Sequence, residues 1–236
     1  MTVRTLSRFY KTVAVAQDGE SFVVHLDGKP VKTPHRAVLA LPNRPLAEAV
    51  AEEWAAQQDK IELKSMPITQ LANAAIALVP EHHAKAAKQI LAYGKSDLLC
   101  YRAEVPEELV RRQAAQWNPL LDWADATFDA RLAVGQGIAF VEQPATSLLA
   151  LEKEVWRHDA FGLVGLHAAA TITGSLVLAL ALAEGRLAAG EALEQARLDE
   201  IWQAEKWGMD APAEARVAKL QTDLKAAECF LRLLAA

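Results

Sequence analysis

The alternation of hydrophobic and polar residues changes rhythm about a quarter of the way along the chain. Up to residue 67, short apolar runs are cut by turn signals: KTVAVAQ by Asp18-Gly19, SFVVHL by Asp27-Gly28, then KPVKTP, and AVLAL before Pro42. Asp-Gly adopts positive φ at little cost, so these runs predict strands joined by tight hairpins. Pro45 then opens a helix to about Gln58, with Leu46, Val50 and Trp54 on one stripe, and residues 61–67 predict an extended return. From Ile68 onward the period is helical. Helices are predicted over 68–79, 81–93, 107–117, 119–133, 146–157, 160–184, 189–206 and 212–234. Asn118-Pro119 offers an N-cap followed by a favoured first-turn proline, which predicts two short helices meeting there at an angle. Asp159 is placed to cap the long apolar helix and Gly185 to end it. The pattern gives the fold class α+β: a small β-rich N-terminal domain, residues 1–67, followed by a larger all-helical domain, residues 68–236. Strands are expected largely within residues 10–70.

One run raises the question of a membrane. Phe161 to Ala183 has no Asp, Glu, Lys or Arg over 23 residues, enough to span a bilayer. It carries His167, Thr171, Thr173 and Ser175, however, with no second apolar span and no aromatic belt at both ends. A helix apolar all round also suits the centre of a helical domain. The run therefore predicts a buried central helix and no membrane insertion, with Gly174 and Ser175 allowing neighbours close. The composition agrees, since 52% hydrophobic and 23% charged residues describe a soluble globular chain with ample core.

A net charge of -5 excludes a global basic field for nucleic acid. The balance is uneven, with seven Lys/Arg against three Asp/Glu in residues 1–44. The start MTVRTLSRFYK has the basic, acid-free character of a transit peptide, but it runs straight into strand-like sequence. Cys100 and Cys229 match no metal or redox spacing, and their apolar helical contexts predict reduced, buried thiols.

Candidate chemistry is sparse. Six histidines form neither HExxH nor a ligand cluster, and GxGxxG, Walker and GxSxG sequences are absent. Gly135-Gln136-Gly137 predicts only a loop. No cofactor or metal is expected. Asp122, Asp125 and Asp129 share one helix face, a pattern usual for a solvated surface. An enzyme acting on a small molecule would have to gather Asp122, Asp125 and His158 in a pocket of the helical domain, and this is the alternative reading.

The aromatic residues say more. Tyr101, Trp117, Trp123, Trp202 and Trp207 lie beside charges in residues 97–124 and 198–208. Such rings bury much area at low entropy cost, in a core or against another protein. Leu198, Ile201, Trp202 and Glu205 follow helical spacing, which puts Glu205 in an apolar stripe. A carboxylate there must either pair with an internal base or sit where a partner covers it. Asp199 and Glu200 point elsewhere around the same helix. The candidate partner-binding set is Asp199, Glu200, Trp202, Glu205 and Trp207, with Glu200 favoured over Glu205 because it lies off the stripe.

Several stretches together resemble a known family. They are Arg8-Phe9-Tyr10-Lys11, then Leu26 to Pro34 (LDGKPVKTP), Glu53-Trp54 with Gln57, Met66-Pro67-Ile68-Thr69, and Asp97 to Ala103 (DLLCYRA). Trp117 to Trp123 (WNPLLDW), Ser175 to Leu180 (SLVLAL), Leu198-Asp199-Glu200 and Trp207-Gly208 complete the series in order. The chain is thus similar to the assembly chaperones of F-type ATP synthase, in the branch that binds the α subunit of the catalytic head. It departs at Asn118 and Ala77, where acids are common in that family, so no role for an acid at 77 carries over. The resemblance implies no enzymatic activity, and transient binding of the free α subunit before it pairs with β. It implies a matrix location for mitochondrial relatives, and for this chain, which begins almost at the first motif, a bacterial cytoplasm. The free protein is expected to be a monomer.

Overall fold

The computed structural model describes residues 6–78 and 80–236. Arg4 of the basic start and Val79, the expected end of the second helix, lie outside them. The N-terminal part contains β1 (Leu6–Ser7), β2 (Val13–Asp18), β3 (Ser21–Leu26), β4 (Lys29–Pro30), β5 (Ala40–Leu41), α1 (Arg44–Ala55) and β6 (Lys60–Ile61). β3 is central, pairing antiparallel with β2, β4 and β5, while β6 returns to pair with β1. At the second hairpin Leu26 lies opposite Lys29, so Asp27 (φ 47) and Gly28 (φ 77) form the two-residue turn that their side chains favour. At the first hairpin Asp18 pairs with Ser21, and the turn shifts to Gly19 (φ 60) and Glu20. Asn43 caps α1 by accepting from the Leu46 N–H at 3.0 Å, and Leu46, Ala47 and Val50 are buried against the rest of the module. The expected extended return is shorter than its sequence suggests, because residues Leu63–Ser65 turn into a 3₁₀ helix.

Ten helices in all are found among the described residues: after α1 come α2 (Pro67–Ala77), α3 (Pro80–Lys95), α4 (Glu107–Phe128), α5 (Ala145–Val155), α6 (Ala160–Thr173), α7 (Leu176–Ala183), α8 (Ala189–Ala196), α9 (Leu198–Trp207) and α10 (Ala211–Leu234). β7 (Tyr101–Arg102) and β8 (Gly135–Gln136) pair in parallel, so the first two residues of the expected Gly-Gln-Gly loop serve as a short strand.

Three helix boundaries differ from the sequence expectation. The helix over Asn118-Pro119 is not broken: α4 runs through with Pro119 inside it. Trp117, Leu120, Leu121 and Ala124 are buried along its continuous inner face, while Asn118 and Pro119 face outward. That burial offsets the missing backbone bond and the ring crowding, which cost about 3 kcal/mol in a helix interior. Conversely, the long apolar run is two helices. Gly174 takes φ 68, ending α6, and the Ser175 hydroxyl caps α7 by accepting from the Leu178 N–H at 3.0 Å. Finally, residues 189–206 divide at Arg197 (φ -118, ψ 21) into α8 and α9. Among the described residues no helix is long and apolar enough to cross a membrane.

Two apolar clusters hold the fold. The larger gathers Trp117, Leu151, Leu166, most of α7 and Trp202. The smaller lies beneath the sheet around Tyr10, Val24, Leu39, Leu46, Val50 and Met66. α10 serves both. Its Leu224, Ala227 and Leu231 join the larger cluster, and its Ala226 and Phe230 the smaller. Phe230 stacks on Phe161 of α6 at 6.2 Å between ring centres. A Cβ at Gly165 would stand 2.6 Å from Leu231 Cδ2, so a larger residue there would displace Leu231 from the contact of α6 with α10.

Candidate partner-binding surface

α9 begins at the break after Arg197 and lies across α4, tied by polar contacts rather than by apolar area alone. The buried Gln113 of α4 donates from Nε2 to Asp199 Oδ1 at 2.7 Å, and its Oε1 accepts from the Ala103 N–H. Arg112 donates to both oxygens of Glu205, at 2.6 and 2.9 Å. Lys206 donates to Glu108 at 3.0 Å. The hydrogen bonds and charge of Arg112 hold the Glu205 carboxyl below the ordinary range, and Glu205 in turn raises Arg112. Thus the acid in the apolar stripe has an internal partner, although half its side chain stays exposed.

The aromatic pair divides its labour. Trp202 is buried in the larger cluster, and its Nε1–H has no acceptor among the described residues. Trp207 is 76% exposed and meets Trp202 edge-on, with ring centres 5.9 Å apart. Glu200 is exposed, 3.9 Å from Arg197. Both Glu200 and Glu205 border a groove of about 480 Å³ between α8, α9 and α10, whose apolar walls include Leu193, Ile201, Met209 and Val217. The structure therefore brings Glu200 and Glu205 to one groove and sets Trp207 at the exposed end of their helix. It ties Asp199 to α4 and sinks Trp202 beneath the surface.

Sequence reasoning missed Arg112, Gln113 and the groove. The two tying residues are separated from their partners by 93 and 86 positions, so no helical spacing reports them. The groove exists because the chain bends at Arg197, within a stretch whose periodicity predicts one helix. The other aromatics do not extend this surface as one patch. Trp117 is buried and donates to the Gln195 carbonyl at 3.1 Å, while Trp123 is half-buried against Phe128.

The residues of the enzyme alternative do not assemble. Asp122 is exposed, Asp125 faces Arg131 at 3.8 Å, and Asp129 forms the left-handed cap of α4. His158 packs against Gly162 after α5, where burial lowers its pKa. Among the described residues no three His, Cys, Asp or Glu side chains gather as a metal site. Both cysteines are free; Cys100 is buried, and burial pushes its thiol up to about 12.

A β-rich module followed by a helical body is a fold already known from solved proteins. Atp12 from Paracoccus denitrificans is 42% identical, with a TM-score of 0.91, covering 96% of this chain and 97% of that one. A mutant of P. denitrificans Atp12p is 41% identical with a TM-score of 0.92 and the same coverage. The Atu1473 protein of Agrobacterium tumefaciens is 40% identical with a TM-score of 0.94, over 98% of this chain and 87% of that one. These likenesses define the class, an assembly chaperone of ATP synthase. The family model described as ATP12 chaperone protein matches residues 7–125, and the chain belongs to the ATP12 chaperone family.

Proposed function

We propose that the protein holds the unassembled α subunit of F-type ATP synthase until it pairs with β, and that it grips this client along α9. The observation that carries the site is Trp207, 76% exposed at the end of a helix anchored by three polar ties. A lone subunit of a ring exposes apolar surface that its neighbour would cover, and such surface aggregates. A rigidly presented indole beside an apolar, acid-rimmed groove covers such surface reversibly, without covalent chemistry. In this reading Trp207 is the anchor, Glu200 meets a basic group of the client, and Trp202 supports Trp207 from beneath. Asp199 and Glu205 set the helix in place. The monomeric protein acts in the bacterial cytoplasm and requires no cofactor.

The test measures α-subunit binding and thermal unfolding side by side for Trp207→Ala, Glu200→Lys and Glu205→Lys. The first two should weaken binding about tenfold or more while leaving the melting temperature nearly unchanged. Glu205→Lys should chiefly lower the melting temperature, because it sets a second cation against Arg112. Unchanged binding by folded Trp207→Ala and Glu200→Lys proteins would remove α9 from the interface. Stronger protection of β than of α from aggregation would replace the client.

A further inference from the structure

The β-rich module carries a groove of its own, about 620 Å³, where three separated stretches of sequence converge. Phe9-Tyr10 forms one side, the Leu26–Lys32 hairpin the other, and Trp54 at the end of α1 the back. The aromatic wall is built rather than incidental. Phe9 meets Tyr10 edge-on at 5.3 Å, and Tyr10 meets Trp54 likewise at 5.7 Å. Tyr10 is buried and its hydroxyl donates to the Trp54 carbonyl at 2.7 Å. Arg8 lies 4.8 Å over the Tyr10 ring and donates to the carbonyls of Tyr10 and Gln57, which fixes the strand end that presents Phe9. Phe9 itself remains 69% exposed.

The charges around this wall are one-sided. Lys29 and Lys32 line the groove, both exposed, and neither has a carboxylate within 4.0 Å among the described residues. Asp27 also borders it, but its oxygens accept from the Lys11 N–H, the Thr12 N–H and the Thr12 hydroxyl. Those bonds hold its carboxyl below the ordinary range and turn it to bracing the hairpin. A groove with an aromatic back and two unpaired ammonium groups suits a ligand that is apolar and anionic at once. Two lysines are too few for the stripe of phosphate contacts that a nucleic acid needs. An extended polypeptide supplies both features within a few residues.

We propose that this groove is a second binding site, taking an acidic, apolar stretch of extended polypeptide, with an aliphatic or aromatic side chain between Phe9 and Trp54 and a carboxylate on Lys29 and Lys32. Its sign is opposite to that of the α9 groove, so the two sites select different segments and do not compete. The site stands without any assumption about which subunit is the client.

The test titrates the full chain with a set of synthetic octapeptides in which Asp or Glu alternates with Leu, Ile or Phe. Binding is read by the chemical shifts of the Trp54 indole and the Val31 amide. Saturable shifts confined to the groove are expected. The Lys29→Glu, Lys32→Glu double variant and Phe9→Ala should each weaken them about tenfold. All three side chains are exposed, so both variants should keep the wild-type melting temperature. Glu200→Lys should bind the peptides normally, which separates this result from the fate of the α-subunit proposal. No shift with the acidic set, equal shifts with a set carrying Lys in place of the acids, or the same shifts with acetate or an oligonucleotide alone would each overturn it.

Discussion

Asp97 lies wholly inside the helical body, where it closes two helix starts at once. Its carboxylate accepts from the Leu99 N–H at 3.1 Å and from the Val177 N–H at 3.0 Å. Burial pushes its pKa from 3.8 up to about 6, against the opposing pull of hydrogen bonds from Ser175 and the backbone. The folded protein therefore holds this proton more tightly than the unfolded chain does. The resulting stabilisation is fully present below the unfolded value of 3.8 and is lost as pH rises through about 6. Two pKa units correspond to about 3 kcal/mol. Relative to Asp97→Asn, the wild type should gain about that much stability on going from about pH 7.5 to about pH 4, as read from urea midpoints. A difference independent of pH would sink the account. Other residues of the family resemblance do comparable work at joints. Glu53 caps α2 by accepting from the N–H groups of Ile68 and Thr69, and Arg102 donates to Asn118 while lying over Trp117.

At the scale of elements, the joint between α6 and α7 rests on one backbone conformation. A Cβ at Gly174 would meet only Leu98 Cβ, at 4.0 Å, so there is room for it. The cost of Gly174→Ala is then the left-handed backbone alone, about 1–2 kcal/mol in chemical denaturation. Wild-type stability in that variant would mean that the joint tolerates another path. The sequence does not announce this joint, because residues 161–183 carry no charge and helical periodicity cannot register a break in a run that is apolar on every side. The hairpin at Asp27-Gly28 was legible, since the turn demands the positive φ that those residues accept. The same contrast holds for the site. The tryptophans and acids of α9 stand out locally, whereas Arg112, Gln113 and the groove walls arrive only through packing across the chain.

On the scale of the whole molecule, the proposed division between residues 1–67 and 68–236 is bridged by the last helix. Phe230 sits in the cluster beneath the sheet, and Asn43, the cap of α1, donates from its side chain to the Leu233 carbonyl at 2.7 Å. Phe230→Ala should cost about 3–5 kcal/mol. The loss should appear as faster hydrogen exchange in β2, β3 and α1, not only in α6 and α10. Exchange rising in the helical body alone would show the two clusters to be uncoupled. This shared wall also sets the order of events at the ribosome. The N-terminal module emerges first, but the Phe230 side chain that completes its apolar cluster is made only with α10. The cluster beneath its strands therefore stays open until α10 has been made and has folded back onto it. The part of the chain that is made first is thus closed by a side chain that is made much later.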